Sequence, residues 1–477
     1  MRLREWWIGT ALAGPAALLC YAFGLDAYFG DESLIIAPAI DHMRGVFGTD
    51  VMYPSFPFWF YGSFFWLAGT LDSPEGSLAA ARVVNAALFG LFTALSYRLL
   101  REITPLGHAL LGIAMLITMP VITSSAFLVK TENLLLVELV VGLLAIRRIE
   151  ETPGPLRWHV LAAVCAGLSI STKLNPFAGL LYALQWARLW RMQRTPPLMN
   201  AGAFALIFLT VVLATWTNLW SFDEIARGWT TTPYWQPNAA PFRAVDEWLA
   251  FPYGRYSSFF SVSLPLGLGW PLLALFAVGL GMRTQDSWTR DVVGLGSLLY
   301  LAVALHGTLL RIPFSFMVLF LYPVMVVATL GPRLRRWAAV TTAICALYGF
   351  WCFTDVSRAG NIGELLSARI EPYTEAGSHL SLVQPRSSEP EPRSIRERIE
   401  AEHPAVLSVF SSYFENQCKY RNNPLYLDNC AYYGELLRNE AGYEVVDEIP
   451  YPIPGGRLHF DSEIRDATFY VLRRNEG

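Results

Sequence analysis

Eleven apolar stretches run through the first 354 residues of this chain, separated by short polar segments and two long ones. They lie at 6–24, 79–97, 106–124, 132–146, 158–172, 174–190, 200–220, 262–281, 291–306, 312–331 and 337–354. A helix needs about 20 predominantly apolar residues to cross a bilayer, and a series of such runs predicts a polytopic α-helical membrane protein. Composition agrees. Of 477 residues 53% are hydrophobic and only 16% are charged, against roughly 25% charged in an average soluble domain. The 14% aromatic content excludes a disordered chain, and six cysteines in so long a sequence exclude a disulfide scaffold. A net charge of −3 argues against nucleic-acid binding, which favours a basic footprint.

Arginine placement sets the orientation, because cationic residues concentrate in short cytoplasmic segments. With the N-terminus inside, Arg2, Arg4, Arg98, Arg101, Arg147, Arg148, Arg157, Arg188, Arg191, Arg194, Arg283, Arg290, Arg333, Arg335 and Arg336 fall on the cytoplasmic side. The opposite side, before the C-terminal region, holds Arg44, Arg82, Lys130, Lys173, Arg227, Arg243, Arg255 and Arg311 in much longer segments. A twelfth apolar stretch, residues 55–71 (SFPFWFYGSFFWLAGTL), breaks this bias if it crosses. It reads instead as an aromatic helix lying in the outer interface, where Trp and Tyr settle. The first run lacks a clear small-residue cleavage site and reads as an uncleaved span.

Three outer segments are large. One covers 25–78, one covers 221–261, and the third is everything after 354. Residues 355–400 include QPRSSEPEPRSIRERIE and read as a linker. Residues 401–477 read as a small α/β domain, with strands AVLSVF, GYEVVDEI and ATFYVLRR and a helix CAYYGELLRNE. Cys418 and Cys430 lie in it, and an oxidising compartment favours a disulfide over two free thiols.

The ionisable residues at the outer helix ends are the functional candidates, since charges at the membrane edge mark sites. Asp31 and Glu32 follow the first span and suit general-base or metal-ligand chemistry, although acidic dipeptides are common in solvated loops. Lys173, in STKLNP, could bind a lipid phosphate as a point charge or simply snorkel. Lys130 and Glu132, in VKTENLL, either repeat that pattern or form a local ion pair. Arg311 and Arg82 offer planar forks that match a phosphate. His306, His42, Tyr53 and Trp235 are further candidates to line a site. Trp229, Tyr234, Trp235 and Trp248 could stack on sugar rings, and interfacial anchoring explains them equally.

The order of these motifs resembles the GT-C fold glycosyltransferases, in particular the branch of protein O-mannosyltransferases and the lipid A aminoarabinose transferase. The resemblance covers roughly residues 1–354. It rests on FGDESLIIAPAI, YPSFPFWFYGSFFWLAG, AARVVNAALFGLFTALSYRLLRE, VKTENLLLVELVVGLLAIRR, LAAVCAGLSISTKLNPFAGLL and HGTLLRIPFSFMVLFLYP in that sequence. It implies transfer of a sugar from a polyprenyl-phosphate donor to a lipid, glycan or protein acceptor at the outer face of a bacterial cytoplasmic membrane. Asp31 then matches the first-loop acidic residue, as base or as ligand of a divalent metal ion, with Glu32 beside it. Lys173 and Arg311 match cations near the donor phosphate, and Glu132 sits where many relatives have Asp. Two features depart from the pattern. Tyr53-Pro54-Ser55-Phe56-Pro57 stands where relatives often show Lys-Pro-Pro-Leu, and 221–261 contains no His. A transporter or flippase of lipid-linked sugars is the rival reading, opposed by charges grouped at one face and the absence of a clear internal repeat. A scaffold with a degenerate site is the third.

Overall fold

The computed structural model describes residues 2–24, 30–45, 54–119, 131–173, 175–216, 270–281, 286–306, 321–329, 339–344, 369–373, 379–381, 394–411, 424–450 and 468–475, with a few isolated positions between them. The chain divides into two units. The first comprises Met1–Leu25, Phe29–Ile225 and Phe251–Phe353, and the second comprises Asp26–Tyr28, Ala226–Ala250 and Thr354–Gly477.

The described part of the first unit is helical. The helices are α1 (Arg2–Gly24), α2 (Gly30–Met43), α3 (Phe56–Ala68), α4 (Pro74–Ile103), α5 (Leu106–Thr118), α6 (Glu132–Glu151), α7 (Leu156–Lys173), α8 (Phe177–Arg191), α9 (Leu198–Thr215), α10 (Trp270–Gly281), α11 (Leu295–His306) and α12 (Leu321–Ala328). A π-helical turn, Thr289–Gly294, leads into α11. Helix occupies part of each apolar run. By length and composition, α4 and α9 are long and apolar enough to cross a membrane, and Trp7–Ala22 and Leu106–Thr118 are shorter apolar helices.

Close helix approach explains two glycines. A side chain at Gly90 of α4 would meet the Ala13 carbonyl oxygen of α1 at 2.8 Å, and one at Gly62 of α3 would meet the Ala39 carbonyl oxygen of α2 at 2.8 Å. Helices packed in lipid gain from such small residues, because backbones that approach closely maximise dispersion contact.

The aromatic stretch 55–71 forms α3, ended by Gly69 in the left-handed conformation. One face is buried through Phe58, Tyr61 and Phe65, and Trp66 and Leu67 on the other are 63% and 70% exposed. Helix α2 was not anticipated, since 25–54 reads as loop. Ile35, Ile36, Ala39 and Ile40 recur at helical spacing and pack on Phe58, Tyr61 and Phe65. Pro38 lies inside this helix, and its own carbonyl oxygen accepts from the His42 ring nitrogen Nδ1 at 2.9 Å.

At the helix ends assigned to the cytoplasm, the arginines are heavily paired. Arg188 of α8 contacts Glu150 of α6 and Asp291 of the π turn, and donates to Ser287 Oγ at 2.9 Å. Gln185 donates to Glu150 at 2.7 Å and accepts from Trp288 Nε1 at 2.9 Å. The Glu5 carboxylate takes Tyr97 at 2.6 Å and Arg101 at 3.0 and 3.1 Å, tying α1 to α4.

The described part of the second unit contains a four-stranded sheet in the order β1-β2-β4-β3, from β1 (His379–Ser381), β2 (Val406–Phe410), β3 (Tyr443–Pro450) and β4 (Thr468–Arg474). The β1–β2 pair is parallel and the other two are antiparallel, with an irregularity in β3 between Val445 and Asp447. Helices α13 (Ile395–Glu402) and α14 (Pro424–Leu437) supply Ile395, Ile399, Tyr432 and Leu436 to one face, against Leu407, Val409 and Leu472. Val406, Phe469 and Val471 face the other way and pack with Ile370 and Ile449. Each fully buried aliphatic side chain here is worth about 1.5–3 kcal/mol. The expected linker, 355–400, therefore contributes β1, Ile370 and most of α13 to the domain. Its helix begins with a capping box, in which Ser394 and Glu397 each bond the other's backbone. Cys430 is disulfide-bonded, and Cys418 lies outside the described residues.

Candidate active site

Asp31 and Glu32 fall in the first turn of α2 rather than in a loop. Carboxylates are stabilised there by the positive end of the helix dipole. Their side chains lie outside what the structure describes. At the far end of α2, His42 is 1% exposed and faces the rings of Phe58 and Trp59 at 5.1 and 5.8 Å. It belongs to the packing of α2 on α3.

The structure brings Lys173 and Glu132 together. Lys173 is the last residue of α7 and Glu132 the first of α6, and Lys173 Nζ donates to Glu132 Oε1. Their side chains are 14% and 2% exposed. Each ion sits at the helix end that favours its sign, the anion at an N-terminus and the cation at a C-terminus. The sequence left Glu132 open to a local pair with Lys130, which lies outside the described residues; its contact here is a lysine 41 positions away in the chain.

Polar residues flank this pair on both sides. Asn133, next to Glu132, donates to Asn85 of α4 at its side-chain oxygen (3.0 Å) and its backbone carbonyl (3.3 Å). Tyr61 of α3 donates to the same Asn85 side-chain oxygen at 3.4 Å. Arg82, 9% exposed, sits one turn earlier on α4. Beyond Lys173, the Asn175 side chain accepts from the Phe177 amide at the start of α8 at 2.9 Å and donates to Tyr300 of α11 at 3.1 Å. Thr172 donates to Glu138 of α6 at 2.7 Å. Sequence reasoning singled out Lys173, Glu132 and Arg82 but missed Tyr61, Asn85, Asn133, Glu138, Asn175 and Tyr300. The available signal was polar residues inside apolar runs, as in TEN and KLNP.

Arg311, Lys130, Tyr53 and Trp235 lie outside the described residues, as does the His306 side chain at the end of α11. Among the described residues no three of His, Cys, Asp or Glu group as metal ligands, and Glu132 is engaged with Lys173. In the second unit, His379 Nε2 lies 3.0 Å from Ser408 Oγ, and burial lowers the histidine pKa below its usual value.

No protein-family model matches the chain, and no curated protein matches it. Among solved structures, it is similar to the crystal structure of ArnT from Cupriavidus metallidurans bound to undecaprenyl phosphate. The TM-score is 0.52 at 16% identity, over 76% of this chain and 72% of that one. The fold is of the GT-C type that the sequence resemblance implied.

Proposed function

We propose that this chain is a membrane glycosyltransferase. It moves a sugar from a polyprenyl-phosphate donor to a lipid, glycan or protein acceptor at the outer face of a bacterial cytoplasmic membrane. The observation that carries the reading is the likeness of fold to a structure solved with undecaprenyl phosphate. The lysine held at a helix end among buried polar groups supports it.

The chemistry is a single displacement at the anomeric carbon. The acceptor oxygen (or nitrogen) forms a bond to that carbon as its bond to the phosphate oxygen breaks. The bonding pair leaves with the phosphate, and the acceptor proton passes to Asp31. The anomeric centre inverts. Lys173, with Arg311 and Arg82, stabilises the charge that develops on the leaving phosphate. Glu32 supports the field around Asp31. If a divalent metal ion takes part, Asp31 is its ligand and the metal acts as a Lewis acid.

The test is turnover of purified protein in nanodiscs with a panel of undecaprenyl-phosphate sugars, followed by release of undecaprenyl phosphate. D31N is expected to lose at least about 10²-fold, the range of general-base catalysis. K173Q is expected to raise the donor KM. Full turnover by D31N overturns the assignment of the base. Movement of labelled donor across liposomes without transfer favours the flippase reading.

A further inference from the structure

The proposed reaction creates an electrostatic problem. The donor is a phosphodiester carrying one negative charge. The product is a phosphomonoester, which carries about −1.5 to −2 at neutral pH. A site built only from cations binds its product more tightly than its donor and turns over slowly.

We propose that Glu132 is a competing anion that limits how tightly Lys173 holds the polyprenyl monophosphate product. This rests on the transferase reading and deepens it. In the absence of ligand the lysine charge is met by Glu132, whose side chain is 2% exposed. A phosphate that takes Lys173 must displace this carboxylate. Glu132 is not stranded when displaced. It is the first residue of α6, where the positive end of the helix dipole stabilises an anion, and Thr131 Oγ1 lies 3.5 Å from its second oxygen. Once transfer is complete, the carboxylate can reclaim Lys173 and favour release. Both states keep each buried charge compensated, which an isolated buried lysine would not. Glu132 is thus a positioning residue acting through Lys173.

The test is equilibrium binding of undecaprenyl phosphate to the full-length protein in nanodiscs, with steady-state and burst kinetics for the same samples. E132Q keeps the shape and removes the competing charge. It is expected to bind undecaprenyl phosphate about tenfold more tightly, to lower the donor KM, and to give a burst followed by slow turnover. In a K173Q background the same change is expected to leave affinity unaltered, because the competition acts through the lysine. E132D keeps the charge and withdraws it by one methylene, so it is expected to tighten binding about two- to threefold; it decides the matter if E132Q does not fold. A merely structural Glu132 predicts weaker binding in E132Q and E132D alike. That result overturns the inference, as does tightening that persists without Lys173. If the parent protein binds undecaprenyl phosphate and transfers sugar while E132Q binds no more tightly, Glu132 alone loses its role. If the parent neither binds nor releases undecaprenyl phosphate, the transferase reading falls with it.

Discussion

Replacing Gly62 by alanine tests whether the packing of α3 on α2 positions the acidic end of α2. The added methyl would lie 2.6 Å from Met43 Cγ and 2.8 Å from the Ala39 carbonyl oxygen. Methionine can swing away, but the carbonyl belongs to the backbone of α2. Restoring an ordinary contact of 3.4 Å requires about 0.6 Å of displacement. Overpacking of this kind costs about 1–3 kcal/mol. Alanine recovers about 0.5–1 kcal/mol of helix propensity, so the net cost is about 0–2.5 kcal/mol. The displaced helix carries Asp31 and Glu32 in its first turn. A 1 Å misplacement at a catalytic site costs on the order of 10²-fold, so half of that corresponds to roughly tenfold in turnover. The assay pairs thermal unfolding with sugar transfer for G62A and for G202A. Nothing lies within 4 Å of an added methyl at Gly202 in α9, so G202A should be neutral or slightly stabilising. G62A with parental melting and parental turnover would refute the account of α2 placement.

Three further outcomes follow from the same reasoning. Arg188 is 9% exposed and bridges Glu150 and Asp291; R188M takes the cation from Glu150, while Asp291 keeps Arg191 and Arg290, and should cost about 3–5 kcal/mol, read as a lower melting temperature that E150Q partly restores. His379 has a depressed pKa in the folded domain, so the unfolded chain, near the ordinary value of about 6.5, binds the proton more readily. Stability contributed by the neutral ring is then complete above pH ~6.5 and lost as pH falls below it; the protection of β1 and β2 amides, taken relative to their intrinsic exchange rates, should fall from pH 7.5 to 5.5 in the full chain and lose that dependence in H379Q. Cys430 is disulfide-bonded, so a reductant should destabilise the second unit by about 2–4 kcal/mol, while C430S should show the loss beforehand and no further response.

The parts of the fold written in long apolar runs were legible, because lipid leaves a helix few alternatives. Helix α3 was also legible as a helix, in a run of aromatic residues that the structure forms into Phe56–Ala68. Helix α2 was hidden by its 14 residues and by Pro38, which normally argues for a break; tertiary packing on Phe58 and Phe65 overrides that preference. The stretch before residue 400 read as linker because of its Pro and charge content. Yet Ser394 and Glu397 carry the spacing of a capping box, which was the one local sign of α13. At the site, sequence could nominate Lys173 and Glu132 separately. It could not join them, because their contact spans 41 positions and depends on α6 and α7 running side by side. Asn85, Asn133 and Asn175 were missed for the same reason: a neutral amide in an apolar run reveals its partners only once the helices are assembled.

A structure of the protein with bound undecaprenyl phosphate decides whether the lysine at the end of α7 is a phosphate site. The account predicts phosphate oxygens within hydrogen-bonding distance of Lys173 Nζ, the Glu132 carboxylate turned away toward the N-terminus of α6, and Asp31 facing the position the sugar would take. A phosphate bound elsewhere, with the Lys173–Glu132 pair still closed, would contradict it.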